Sequence, residues 1–446
     1  MNIKNSLYRV LNRLSSNQTF KKILSNTSWL FLERVLRMIV GLFVGIWVAR
    51  YLGPDDYGLL GYAQAFVLIF SSFATLGLDG IVVRNVVRSP EKKDEILGTA
   101  FLLKLVGGIA VAIISVTLGL IVHSDEKVTV WLIGIISFGM IFKSLDVVDF
   151  WFQSQVISKY VAYSRGFAFI FTSLLKILGI VLNQPLAFFA IVTMLEMILI
   201  ALFLVIWYKK SGDIQAWSYS KITAISLLKD SWPLIFSGLV ITIYMKTDQI
   251  MLRQILGDSA VGQYTAALRL SESWYIIPTV LVTTVAPYLT NAKNSQNKDA
   301  YNYYNLLLYR VVVLSAVLIA LPMTFLSDWL ISLLYGSEYH SAGEVLSIHI
   351  WSAVFVFLGV ARNPYIVNEN LTKYSFITNS GGAVINLVLN AILIPKYGIV
   401  GAAYATLISQ AVASYLMHVF FSKVRPIFIM QTKALFTFYI LKKFSK

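Results

Sequence analysis

The chain is built from runs of about 20 mostly apolar residues, the length that one helix needs to cross the hydrocarbon of a bilayer. About twelve are legible: 27–50, 58–78, 96–122, 128–150, 157–182, 185–208, 230–256, 260–289, 303–326, 344–361, 374–395 and 398–421. In lipid each backbone polar group must be satisfied within its own segment, and helices do this. The pattern therefore predicts an all-α integral membrane protein. Of the 446 residues 57% are hydrophobic and 13% charged, against the ~25% charged of a soluble domain.

The loops set the expected orientation. The formal charge of +15 is concentrated in alternate loops, around Arg84–Lys93, Lys209–Lys229 and Lys293–Lys298, and in the tail beyond residue 422. Cytoplasmic loops carry the Lys/Arg excess, so both termini are expected inside, and the charge is not read as a nucleic-acid footprint. The segment 1–26 is basic and polar, without the short apolar core and small-residue cleavage site of a signal peptide. Cysteine is absent, and the four histidines are scattered. Disulfides, thiolate catalysis and cysteine-based metal sites are excluded, and no cofactor or metal is expected.

Two halves resemble each other. LGPDDYG at 52–58 and LGDSAVG at 256–262 share the pattern LGxxxxG, 204 positions apart, each in a turn after the first helix of a half. Ser28-Trp29 and Ser231-Trp232 recur at nearly the same spacing. The expectation is about 12 transmembrane helices in two pseudo-symmetric six-helix bundles around a central cavity. A basic N-terminus (1–26) leads into one bundle (27–208). A cytoplasmic linker (209–229) follows, then a second bundle (230–421) and a basic amphipathic tail (422–446). A parallel repeat of this kind suits alternating access.

Charges inside the apolar runs carry the chemistry. One ionised side chain at mid-bilayer costs about 3 kcal/mol on insertion scales, so these groups face one another or water. Arg165 and Lys176 lie eleven positions apart on one helix face, a cationic stripe about 16 Å long. Lys246 and Arg253 share a face of another helix, with Asp248 opposite. Neither stripe carries a carboxylate of its own. Glu33 and Arg37 (i,i+4), and Arg269 and Glu272 (i,i+3), read as pairs within a helix. Asp248 and Arg269 fall at similar depth and suggest an interhelical ion pair. Arg253, near a helix end, either joins the cationic face or snorkels to headgroups. Asn379, Asn386 and Asn390 share one stripe, equally suited to sugar hydroxyls or to bonds between helices. A basic, hydrated cavity suits an anionic cargo, since Arg and Lys pair with phosphate.

The stretches ARYLGPDDYGLLGYAQAF (49–66), LGLDGIVVRNVVR (76–88), DQIMLRQILGDSAVGQYTAALRLSESWYIIP (248–278) and KYGIVGAAYATLIS (396–409) resemble the polysaccharide-exporter, or O-antigen flippase, family. The resemblance spans nearly the whole chain and implies the multidrug/oligosaccharidyl-lipid/polysaccharide exporter fold. It also implies transfer of an undecaprenyl-pyrophosphate oligosaccharide to the outer leaflet of a bacterial plasma membrane. Membrane lipids, a polysaccharide polymerase and a chain-length regulator would be partners. On that resemblance Arg34, Arg37, Arg165, Lys176, Lys246 and Arg269 receive pyrophosphate and acidic sugars, with Asn379 and Asn386 beside them. Glu33, Asp248 and Glu272 serve as ion-pair or coupling groups. The rival readings are a cation- or proton-coupled drug antiporter, which would carry isolated buried carboxylates, and a membrane glycan polymerase. No phosphate-cradling glycine loop of an ATPase is present.

Overall fold

The structure is a computed structural model that describes residues 18–211 and 217–436. Residues 1–17 of the expected basic N-terminus, 212–216 of the linker and 437–446 of the tail lie outside the described residues. Every element among the described residues is helical.

In chain order the α-helices are α1 Gln18–Ile69, α2 Ser71–Thr75, α3 Asp79–Arg88, α4 Lys93–Val122, α5 Lys127–Ile141 and α6 Val147–Ser154. They continue as α7 Lys159–Val181, α8 Leu186–Lys210, α9 Lys221–Leu256, α10 Asp258–Glu272, α11 Ile276–Asn294 and α12 Lys298–Tyr335. The last are α13 Ala342–His349, α14 Ser352–Ala361, α15 Asn363–Asn368, α16 Thr372–Ser414 and α17 Arg425–Phe436.

Among the described residues eight helical segments are individually long and apolar enough to span, and a ninth is the pair Ala342–His349 and Ser352–Asn368, bent by 41°. The expected dozen fits onto these because two rods are double. α1 is broken at Gly53 and α16 at Gly398, the points where the sequence separates one apolar run from the next. The remaining run, 260–289, corresponds to α10 and α11 joined by a 3-10 turn at Ser273–Tyr275. Asp258, Arg269 and Glu272 keep α10 from being uniformly apolar.

The repeated LGxxxxG turns adopt one backbone shape. Gly53 has φ 71° and ψ 171°, and Gly257 has φ 90° and ψ −176°, a region essentially restricted to glycine. The second glycine of each repeat is needed for close approach. A Cβ on Gly58 would collide with the carbonyl of Asp258, and one on Gly262 with the carbonyl of Pro54.

Packing divides the chain into two compact units. One comprises the described part of Met1–Val48 with Phe66–Leu239; the other comprises Ala49–Ala65 with Val240–Lys446, again in its described part. The first is centred on Leu78, Val82, Leu97, Val147, Phe152 and Leu204. The second is centred on Tyr309, Val312, Ala353, Phe357 and Ile427. α9 begins at Lys221, ahead of the apolar run at 230, so the described linker is short. Its end docks on the first unit, where Trp217 Nε1 donates to Tyr208 Oη (3.3 Å) and the Ser220 amide donates to Thr99 Oγ1 (3.1 Å). The helix expected in the tail is present as α17, with Ile427, Gln431 and Ala434 buried along one face and Ile429 and Phe436 exposed.

Candidate functional site

In the first unit α1, α7 and α8 assemble a four-charge cluster. Arg37 donates to Glu33 one turn earlier (Nε–Oε1 2.7 Å) and to Glu196 on α8 (Nη1–Oε1 3.2 Å). Lys176 Nζ stands 3.7 Å from the other oxygen of Glu196, which also accepts from Thr172 Oγ1 at 3.3 Å. The Arg37 guanidinium lies 5.2 Å from the centroid of Phe169. Phe169, Thr172 and Lys176 recur at helical spacing on α7, so their meeting with α1 and α8 follows from one face of that helix. Arg34 is exposed and has no ion pair among the described residues.

Arg165 lies on the same α7 stripe and donates to Asp149 (Nη2–Oδ2 2.6 Å), whose other oxygen accepts from Gln153 Nε2 at 2.9 Å. The expected stripe of Arg165 and Lys176 therefore exists as a face but not as surplus positive charge. Each cation is matched by a carboxylate from another element, Asp149 from α6 and Glu196 from α8. Arg37 is likewise matched. The reason is tertiary: the acids come from helices whose apposition no spacing within α7 reveals.

Sequence reasoning missed Lys104. Its side chain is 0% exposed, with Nζ 3.8 Å from Asp146 and 4.0 Å from Asp79, and 4.6 Å from the centre of the Phe150 ring. A lysine within the apolar run 96–122 was the available signal, of the same kind as Lys176.

The second unit combines neutral and acidic partners for its charges. Asp248 is buried and accepts from Tyr264 Oη (2.6 Å) and from the Gln249 amide (2.8 Å). Arg269 is exposed and donates to Tyr57 Oη (3.1 Å). The hydrogen bonds of Asp248 are thus supplied by a phenol and a backbone amide, in place of the expected guanidinium of Arg269. Lys246 and Glu272 are half-buried, and Lys246, Asp248 and Arg269 all lie within electrostatic reach of Glu272. Arg253 neither snorkels nor lines an open face: it binds Asp258 (Nε–Oδ1 2.5 Å) and lies 4.2 Å from the centre of the Tyr62 ring.

The asparagines of the stripe are hydrogen-bonded within the protein. Asn386, 1% exposed, donates to Ser409 Oγ (3.2 Å) and accepts from Asn390 Nδ2 (3.0 Å). Asn379 accepts from Arg362 Nη2 at 2.8 Å. Arg362, also missed in the sequence, is 2% exposed and further donates to the Ala413 carbonyl (2.8 Å) and contacts His418 Nε2 (2.7 Å). All of these partners are neutral.

The described residues form a set of broken and paired helices, several long and apolar enough to cross a membrane, with ionisable groups buried among them. An inward-facing multidrug resistance MATE family transporter superposes with a TM-score of 0.72 at 16% identity, over 89% of this chain and 96% of its own. The lipid II flippase MurJ, in an inward closed conformation, gives 0.71 at 18%, over 92% and 91%. These likenesses establish the fold, in which twelve helices form two bundles. The family described as "Polysaccharide biosynthesis protein" matches residues 23–293, and the MatE family matches residues 233–392. The chain belongs to the polysaccharide biosynthesis protein family, the polysaccharide exporters. The capsular polysaccharide biosynthesis protein CapF of Staphylococcus aureus is 21% identical over 90% of this chain and all of its own length. The probable low-salt glycan biosynthesis flippase Agl15 of Haloferax volcanii is 29% identical over 45% of each chain.

Proposed function

We propose that the protein is a flippase that carries an undecaprenyl-pyrophosphate-linked oligosaccharide, the repeat unit of a capsular, exopolysaccharide or O-antigen polymer, between leaflets by alternating access. It acts in the bacterial inner membrane with both termini cytoplasmic, performs no covalent chemistry, and hands its product to a polymerase and chain-length regulator. The observation that carries the reading is the match to a capsular polysaccharide protein along that protein's entire length.

The geometry modifies how such a substrate is held. Arg37 and Lys176 are already neutralised by Glu33 and Glu196, so a pyrophosphate does not enter a vacant basic chamber. It competes with carboxylates for cations that are in place. Exposed Arg34 supplies the charge that first attracts it. In the second unit Lys246 and Arg269 are the groups that receive acidic sugar or phosphate; Arg269 is exposed and donates to Tyr57. Charge-assisted bonds from guanidinium to phosphate are about twice as strong as neutral ones, which favours the exchange. With the cell interior negative, each negative charge moved outward gains about 2.3 kcal/mol per 100 mV.

The acid-matched cluster around Glu196 also suits a cation- or proton-coupled antiporter of the same fold. Reconstitution into liposomes with a fluorescent polyprenyl-pyrophosphate glycan separates the two. The expected result is transfer of label between leaflets, slowed by Arg34→Gln and Arg37→Gln. Absence of transfer together with proton-driven efflux of a cationic dye would replace the flippase with the antiporter.

A further inference from the structure

Beside the Arg37 cluster a groove of about 220 Å³ runs between the first part of α1 and α7, wholly within the first unit. Ala162 and Gly166 form its floor. Leu32 and Leu36 wall one side and Phe167 and Ile170 the other, all four exposed on membrane-spanning helices. At one end Trp29 meets Tyr163 edge-on, with ring centroids 5.2 Å apart. The lining has one acidic member, Glu33, which is the carboxylate bonded to Arg37.

Resting on the flippase reading, we infer that this groove seats the isoprenoid chain of the polyprenyl-phosphate carrier and delivers its phosphate to Arg34 and Arg37. The lining dictates an amphiphile. An apolar slot opening onto lipid-facing residues takes a hydrocarbon chain, and the adjoining charge takes an anion. Leu32 and Leu36 on one wall and Phe167 and Ile170 on the other bound a volume of about 220 Å³, room for a segment of hydrocarbon chain. As the chain slides in, the phosphate reaches the Glu33–Arg37 bond from the bilayer side and displaces the carboxylate. Glu33 is thus the placeholder for the headgroup, and the groove supplies the apolar binding energy for the exchange. A free phosphate or soluble sugar phosphate gains none of it.

Gly166 makes the idea testable without damage to the fold. Nothing lies within 4 Å of a Cβ built there, so Gly166→Leu fills the floor while improving helix propensity. The full-length protein in nanodiscs would be photo-crosslinked with a photoactivatable undecaprenyl phosphate and the labelled peptide mapped. The expected result is label on α1 or α7, reduced about tenfold or more by Gly166→Leu, as for displacement of a few methylene contacts, with unchanged thermal unfolding. Excess unlabelled undecaprenyl phosphate should compete; phosphatidylglycerol and inorganic phosphate should not. Equal competition by phosphatidylglycerol would make the groove a general lipid site and overturn the isoprenoid assignment. Label that is insensitive to Gly166→Leu would overturn the groove itself. Glycan transfer is scored separately. Gly166-dependent label without transfer sinks the flippase reading but not the groove, and full transfer by Gly166→Leu does the reverse.

Discussion

The two units partner their cations differently. In the first, Arg37, Lys104, Arg165 and Lys176 all face carboxylates from other elements. In the second, Arg253 also pairs with an acid, Asp258, but Arg269 donates to a tyrosine, Arg362 donates to a carbonyl and an amide and contacts an imidazole, and the buried Asp248 accepts from a phenol. The difference teaches where charge is committed to structure. A carboxylate partner makes a cation expensive to strand, because removing one member leaves the other uncompensated in a medium that solvates it poorly. Arg362, whose hydrogen-bond partners named above are neutral, receives no compensating charge from them.

The contrast can be broken at graded cost. The largest effect should come from Glu196→Ala, which strips Arg37 and Lys176 together. Removing one side of a buried pair costs about 3–5 kcal/mol, and partial exposure of this cluster puts the loss near about 3 kcal/mol. Thermal unfolding in detergent reads it, and an unchanged midpoint would show that the carboxylate holds nothing. Next comes Arg362→Met. It removes the cation itself and leaves neutral acceptors unsatisfied, for a loss of about 1–2 kcal/mol. If this variant proves more damaging than Glu196→Ala, the distinction between the units fails. Smallest is Asn386→Ala. Interhelical hydrogen bonds in membranes average about 0.6 kcal/mol, and the midpoint should barely move. A large loss of glycan transfer from this variant, at constant stability, would return Asn386 to the substrate path.

Much of the fold was legible because bilayer thickness fixes the length of each apolar run and glycine marks each sharp reversal. The breaks at Gly53 and Gly398 fall where one run gives way to the next. The α7 stripe was legible as a face from its period alone. Its charge balance was not, since Asp149 and Glu196 reach it from the two neighbouring helices, whose packing against that face no spacing within α7 reveals. The Glu33–Arg37 pair was readable because both ends sit on one helix. Asn386 shows the opposite case. An amide stripe carries no mark of whether it faces sugar or a neighbouring helix, and the bonds of Asn386 to Ser409 and Asn390 appear only in the fold.

The LGxxxxG turns have one more consequence. Gly58 presses on Asp258, and Gly262 presses on Pro54, so each copy of the motif touches the counterpart of the residue that touches it. This is the self-complementary contact of a two-fold homodimer, folded into a single polypeptide. The two glycines then act as one unit: alanine at either should open the same seam, and the double replacement should do far less than twice the harm.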